Sequence, residues 1–239
     1  MLQAYVKSDI GLVRKTNEDS YVFLPPEIFA VADGMGGHEA GEIASSLAVA
    51  TVKEYFSQYK GTLSPDVLIR QAVIRANQMI YQMAQQKPEC SGMGTTLTAV
   101  YLHGETVFWS HVGDSRLYHL SNSDFKQITQ DHSLVWELLQ RGTISPEEAH
   151  VHPHRNILTR AVGTTEDIQV DSGSFSWQSG DQLLICSDGL TTMLTDEKIA
   201  AALAANTEDQ ERVTENLVVS ANAAGGMDNI TAILLLNII

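Results

Sequence analysis

The chain has 239 residues, 44% of them hydrophobic and 18% charged, which suits one compact domain with a sizeable core and excludes a disordered chain. Its 15 basic and 29 acidic residues give a formal charge of -14, which argues against a nucleic-acid or anionic-membrane surface. No apolar run approaches the ~20 residues a bilayer crossing needs, no secretory signal pattern opens the chain, and two cysteines far apart fit a reducing cytoplasm.

Residues 2–6 alternate weakly and read as an edge strand, after which Gly11 marks a turn before the segment 14–19. Residues 21–24 read as a strand, and Pro25-Pro26 as the turn that returns the chain into a second strand over 28–32. This second strand is short and continuously apolar, and it stops on Asp33, with glycines at 34, 36 and 37 that permit tight turning. A helix is predicted from 38 to about 59, with Gly61 as its stop. Ser64-Pro65 opens another, which carries Val67, Leu68, Ala72, Ile74, Ala76 and Met79 at amphipathic spacing. Both helices would cover one sheet face.

The segments 94–102, 105–112, 116–120 and 125–128 read as a meander of strands, which places Asp114 in a hairpin turn. Asp131-His132-Ser133 caps a helix running to Arg141, and Ser145-Pro146-Glu147-Glu148 caps a second. From 143 to about 160 the chain is polar, His-rich and poor in core periodicity; His150, His152 and His154 alternate there and read as solvated. Strands resume over 168–175 and 181–187, joined by a turn at Gly180-Asp181. Alanine-rich helices follow near 196–205 and 208–224, and the apolar run 230–236 is the last strand. Strands in two groups with helices before and after predict two sheets between two helical layers.

A single Asp-Gly pair at a strand end is commonly only a turn. Here the pattern repeats: acids meet strand ends at Asp33, Asp114 and Asp188, and Asp228 precedes the last strand. If that strand runs antiparallel to its neighbours, its start lies beside their ends, and four carboxylates meet at one sheet edge. Like charges brought together in a partly dry cleft repel and hold protons, so cations are the natural remedy. Oxygen-only ligands favour hard ions, Mg2+ or Mn2+, whereas Cys90 and Cys186 lack the paired spacing of a zinc site.

Six blocks then occur in a telling order: Arg14-Lys15-Thr16-Asn17-Glu18-Asp19, Asp33-Gly34-Met35-Gly36-Gly37-His38, Gly94-Thr95-Thr96, Val112-Gly113-Asp114-Ser115-Arg116, Ser187-Asp188-Gly189 and Gly226-Met227-Asp228-Asn229. In this order they resemble the metal-dependent protein phosphatases, the PPM or type 2C family, in its bacterial single-domain form. The resemblance covers essentially the whole chain. It implies an α+β fold, a four-layer α/β/β/α sandwich with two mainly antiparallel sheets flanked by helices. It also implies one catalytic domain over 1–239, with a flap over approximately 143–160 beside the active site.

The activity so implied is hydrolysis of phosphoserine and phosphothreonine in proteins by a water bridging two metal ions. The metal residues would be Asp19, Asp33, Gly34 through its carbonyl, Asp188 and Asp228, with an accessory third ion on Asp114 and Asp188. Glu18 is the alternative to Asp19, because alternation along a strand sends only one of two adjacent acids towards the site. Arg14 would hold the substrate phosphate, a task that suits a guanidinium fork. His38 would protonate the leaving oxygen. The expected partner is a phosphorylated protein, met by a cytoplasmic monomer of bacterial signalling without nucleic acid or membrane. A metal-dependent phosphodiesterase and a non-catalytic phosphoprotein-binding module that keeps the fold are the competing readings.

Overall fold

The computed structural model describes every residue except 38, 39, 123, 151, 206–209 and 239, and every side chain of the rest except those of 147 and 150. The chain begins with β1 (Leu2–Asp9), β2 (Asp19–Leu24) and β3 (Ile28–Met35), then α1 (Ala40–Gln58) and α2 (Pro65–Gln86). Next come β4 (Gly94–Thr95), β5 (Leu97–His103), β6 (Thr106–Val112), β7 (Arg116–Ser121) and β8 (Asp124–Gln127). The remainder is α3 (Leu134–Gln140), α4 (Pro146–His150), β9 (Asp171–Ser176), β10 (Gln182–Cys186), α5 (Asp188–Thr191), α6 (Asp196–Ala204), α7 (Gln210–Ala223) and β11 (Ile230–Asn237).

The strands form two antiparallel sheets, one in the order β1-β11-β10-β7-β8 and the other β2-β3-β5-β6-β9, with β4 paired to β3. Alternation along the central strands separates three cores. In β3, Ala30 and Ala32 face α1 and α2, while Phe29 and Val31 face the opposite sheet. In β10 and β11, Leu184, Cys186, Ala232 and Leu234 face α6 and α7, while Leu183, Ile185, Ile233 and Leu235 meet Phe29 and Val31 between the sheets. The result is the expected sandwich of two sheets between two helical layers.

Several details depart from the sequence reading. The segments 94–128 are no single meander: β6 pairs with β5 and β9, whereas β7 pairs with β10 and β8 in the other sheet. Asp114 therefore sits at a corner where the chain crosses between sheets, not in a hairpin turn. The same holds between β9 and β10. The segment 94–102 is broken at Thr96, whose N–H leaves the strand ladder and donates to the Asp33 carbonyl at 2.8 Å. β3 carries through Asp33 and Gly34 to Met35, because Gly34 and Met35 find partners in β4. The buried face of α2 runs through Leu68, Ile69, Ala72, Val73, Ala76 and Ile80, so Val67, Ile74 and Met79 flank the stripe and are half-buried.

Ser133 caps α3 by accepting from the Trp136 N–H, and Ser145 and Glu148 form the reciprocal capping box read from the sequence. Ser64 stands at the N-cap of α2 without a side-chain capping bond to the helix backbone. The excursion between α3 and β9 returns to its starting point: Ser133 bridges Leu158, and Thr159 donates to the His132 carbonyl.

Candidate metal centre

Antiparallel pairing assembles the acids. Asp19 and Asp33 lie directly opposite each other in the β2–β3 pair, so both project from one face. That face carries Val31 and Phe29 two and four residues before Asp33, and it looks into the slot between the sheets. From the other sheet, β11 runs antiparallel to β10, with Cys186 opposite Ala232. The residues just after β10 and just before β11 thus lie at one end, and they are Asp188 and Asp228. The corner at Asp114 opens at the same end, where Asp114 and Asp188 line one cleft.

Asp19 is 8% exposed, and its Oδ2 accepts from Ser187 Oγ at 2.7 Å. Ser187 Oγ accepts in turn from the Thr231 N–H at 2.9 Å, which ties the two sheets together at the carboxylate. Its other oxygen, Oδ1, is buried without a hydrogen-bond partner. Asp33, Asp114, Asp188 and Asp228 are half-buried. The neighbouring Glu18 has its Oε2 against Gly41 at the start of α1, within electrostatic reach of Arg14 and Asp228. Of the two adjacent acids, Asp19 is the one that stands directly opposite Asp33.

Burial is the leading cause that raises the proton affinity of these carboxyls, and mutual repulsion adds to it. Burial pushes Asp19 up to about 7, with Asp188 and Asp228 contributing. Asp188 is raised to about 6 by burial and then by Asp228, against a hydrogen bond with Asp33 that lowers it. Asp33 stands well above the carboxylate range through burial, Asp19, Asp188, Asp114 and Asp228, and Asp114 does so through burial, Asp188 and Asp131. Among the described residues, no three of these side chains are already arranged around one point as an ion would need. Their fit to a cation rests on other grounds. The donors are all oxygens, each charge works against its neighbours, and Asp19 Oδ1 is a buried acceptor awaiting a positive partner.

The backbone around the acids is closely packed. A Cβ on Gly34 would lie 2.1 Å from the Gly41 carbonyl oxygen, and one on Gly189 would lie 2.0 Å from that of Asn229. Glycine is required at both positions by the approach of another main chain. Asn229 is a residue whose role the sequence does not disclose. Its Oδ1 accepts from the Glu18 N–H, and its Nδ2 donates to the carbonyls of Ile10 and Thr16, so it holds the N-terminal loop against the start of β11. Thr96 acts likewise for β3, accepting from the Asp33 N–H at 2.9 Å. Both depend on partners distant in sequence, and no local pattern reveals them.

Arg14 lies exposed on the rim and donates through Nη2 to Asp228 Oδ2 at 2.6 Å; that hydrogen bond is the largest influence that raises the guanidinium's pKa. Arg116, in the same block as Asp114, lines the same cleft. It donates from Nε and Nη2 to Asp131 and from Nη1 to the Tyr118 hydroxyl, bracing β7 against the base of α3. His152 and His154 pack ring to ring at 5.7 Å, a pair turned on itself. His38 lies outside the described residues. Beside the acids, a cleft of about 400 Å³ runs under the excursion, with Val135, Trp136 and Leu139 of α3 on one wall and Thr192 and Glu197 on the other.

The sequence profile described as Protein phosphatase 2C matches residues 16–224. The serine/threonine phosphatase stp of Listeria welshimeri is 38% identical over 240 residues, an alignment covering 98% of this chain and 95% of that protein. The serine/threonine protein phosphatase PstP of Mycobacterium tuberculosis is 39% identical over 98% of this chain and 44% of its own length. A crystal structure of the M. tuberculosis phosphatase PstP/Ppp superposes with a TM-score of 0.92 at 36% identity, covering 100% of this chain and 99% of that one. The catalytic domain of PstP in complex with 2 manganese ions gives a TM-score of 0.90 at 35% identity, covering 100% and 99%. Matched by the family profile over most of its length and 38% identical to a phosphatase that it covers almost fully, the chain belongs to the protein phosphatase 2C family.

Proposed function

We propose that the chain hydrolyses phosphoserine and phosphothreonine in proteins with divalent metal ions held at the acidic end of its sandwich. The single observation that carries this is that Asp19, Asp33, Asp114, Asp188 and Asp228, from five separate segments, lie at one end of a family fold, where the other four each raise the proton affinity of Asp33. Asp33 is the central ligand, flanked by Asp19 on the β2 side and by Asp188 and Asp228 from the other sheet, with the Gly34 carbonyl beside it. The hardness of this donor set supports Mg2+ or Mn2+. Manganese in the PstP catalytic domain supports two ions, and the approach of Asp114 to Asp188 supports a third.

When bound, such ions lower the pKa of a water and offset negative charge on the phosphoryl group. The remaining work falls to side chains of the chain itself. Arg14, at the rim of the acids and already engaged with a carboxylate oxygen, presents a planar fork suited to a phosphate oxygen pair. His38, which follows β3 in the sequence, is the proton donor to the leaving serine or threonine oxygen. The cleft under α3 gives the residues flanking the phosphorylated position a half-apolar surface, which supports the reading of 143–160 as a flap that helps choose substrates. Among the described residues, no helix is long and apolar enough to cross a membrane. A monomer in the cytoplasm, acting within bacterial signalling, is the setting this reading expects.

The test compares release of phosphate from a phosphothreonine peptide with cleavage of a phosphodiester, each with Mn2+ or Mg2+ and with chelator. Metal-dependent turnover of the peptide and negligible cleavage of the diester is the expected result. Diester cleavage at a comparable rate would favour a phosphodiesterase, and binding of the peptide without turnover would favour a non-catalytic module.

A further inference from the structure

The corner that carries Asp114 is clamped by one histidine whose every polar atom is used. The His132 N–H donates to the Gly113 carbonyl at 2.7 Å, and the His132 carbonyl accepts from the Thr159 N–H at 2.8 Å. Its ring Nδ1 accepts from the Gly113 N–H at 3.0 Å, and its ring Nε2 donates to Asp171 Oδ2 at 3.2 Å. A main-chain N–H can only donate, so Nδ1 must carry the lone pair and Nε2 the proton. The Asp171 carboxylate fixes that tautomer, and it is itself held by Arg160 Nη1 on its other oxygen at 2.7 Å. His132 is 4% exposed and its ring packs at a tilt against the buried His111 ring, centroids 4.7 Å apart, so it has little freedom to turn.

Both backbone groups of Gly113 are thereby committed to a single residue. Gly113 has φ +114, and a Cβ there would lie 2.6 Å from the side chain of Thr96, the residue that also holds the Asp33 N–H. The peptide immediately before Asp114 therefore has one allowed placement, set by His132 on one side and Thr96 on the other. From it the Asp114 carboxylate extends into the cleft it shares with Asp188.

We infer that His132, oriented by Asp171, is a positioning residue for Asp114, and that it sets how tightly the accessory divalent ion is held between Asp114 and Asp188. This rests on the reading of Asp114 as a ligand. Groups that orient ligands from behind are worth roughly 10–100-fold in metal affinity. The clamp also joins the Asp114 corner to Thr159 and Arg160 at the return of the excursion, so the accessory site and the base of the flap share one anchor.

Calorimetric titration with Mn2+ tests this on four full-length proteins: wild type, Asp114→Asn, His132→Gln and His132→Asn. Glutamine extends an N–H to the place of Nε2 and offers no acceptor to Gly113; asparagine keeps an acceptor near the place of Nδ1 and loses Asp171. The expected result is loss of the weakest binding step in Asp114→Asn, a 10–100-fold weakening of that step in His132→Gln, and a change within about 3-fold in His132→Asn. Melting temperatures in chelator should fall to a similar degree in both His132 variants, so stability does not account for the difference. An unchanged weak step in His132→Gln, or equal weakening in both His132 variants, while Asp114→Asn loses the step, would overturn the inference alone. An unaltered titration in Asp114→Asn would overturn the reading of Asp114 and the inference with it. If His132→Gln does not fold, Asp171→Ala carries the test. Without the carboxylate, only the Gly113 N–H holds the ring in the accepting tautomer and orientation, and the weak step should weaken by up to about 10-fold; an unchanged titration would overturn the inference.

Discussion

Replacing Asp33 with asparagine removes an ionisable group from the centre of the acidic cluster while keeping the side chain's size. Asp19 lies directly across the strand pair, where opposed side chains are about 5 Å apart. Two full charges at that distance, with an effective dielectric constant of ~20, repel by about 3 kcal/mol. Asp19 has its pKa pushed up to about 7 and Asp33 is held well above the carboxylate range, so near neutral pH in chelator neither carries its full charge. The repulsion relieved is then under about 1 kcal/mol, which for a domain of this size raises the melting temperature by no more than roughly 4 °C. Asp33→Asn should therefore be more stable than wild type in chelator. With Mn2+ the order should invert, because an ion at 100 times its Kd stabilises the native chain by about 2.7 kcal/mol and the variant loses its central ligand. Differential scanning fluorimetry at pH 7, with EDTA and then with a Mn2+ series, reads both halves. A variant less stable in EDTA, or one that gains as much from Mn2+ as wild type does, would refute the reasoning.

In chelator, stability should fall as pH rises from about 5 to 8. Asp19 and Asp188 bind protons more tightly folded than unfolded, with folded values of about 7 and about 6, so their contribution is complete in acid and lost as pH passes through those values. Saturating Mn2+ should reverse the slope, because the ions take the deprotonated carboxylates; melting curves across pH in both conditions check this. Arg14→Ala should raise KM for a phosphopeptide with a smaller effect on kcat, and should change stability by less than about 1 kcal/mol because its ion pair is exposed. Steady-state kinetics and melting decide it, and an unchanged KM would count against a phosphate contact. Gly34→Ala should lower the melting temperature even in chelator, since its Cβ would lie 2.1 Å from the Gly41 carbonyl oxygen. A wild-type melting curve would show that β3 and α1 can separate without cost.

Much of this was legible in the sequence because it lies in local order. The apolar run that stops on Asp33 is central and buried, and the antiparallel course of β11 brings Asp228 beside Asp188, as strand-end reasoning predicts. What escaped was the third dimension of connections. A short Gly-containing link looks alike whether it closes a hairpin or turns a corner between sheets, so β6 to β7 and β9 to β10 were misread as neighbours. In β3 both faces are buried, so no alternation of residue type marks which side Asp33 occupies; its pairing with Asp19 does. Asn229, Thr96 and His132 work through main-chain partners tens or hundreds of residues away, or across a turn whose geometry composition does not encode. Four-residue α5 is too short for any periodic signal; it begins directly after Ser187, whose N–H still donates to the Thr231 carbonyl of β11.

The most direct test of the central claim is anomalous diffraction from a crystal soaked in Mn2+. Two strong peaks should flank the Asp33 carboxylate within bonding distance, one beside Asp188 and Asp228 and the other towards Asp19. Peaks confined to other acidic patches, or none at this end of the sandwich under conditions that support phosphopeptide hydrolysis, would contradict it.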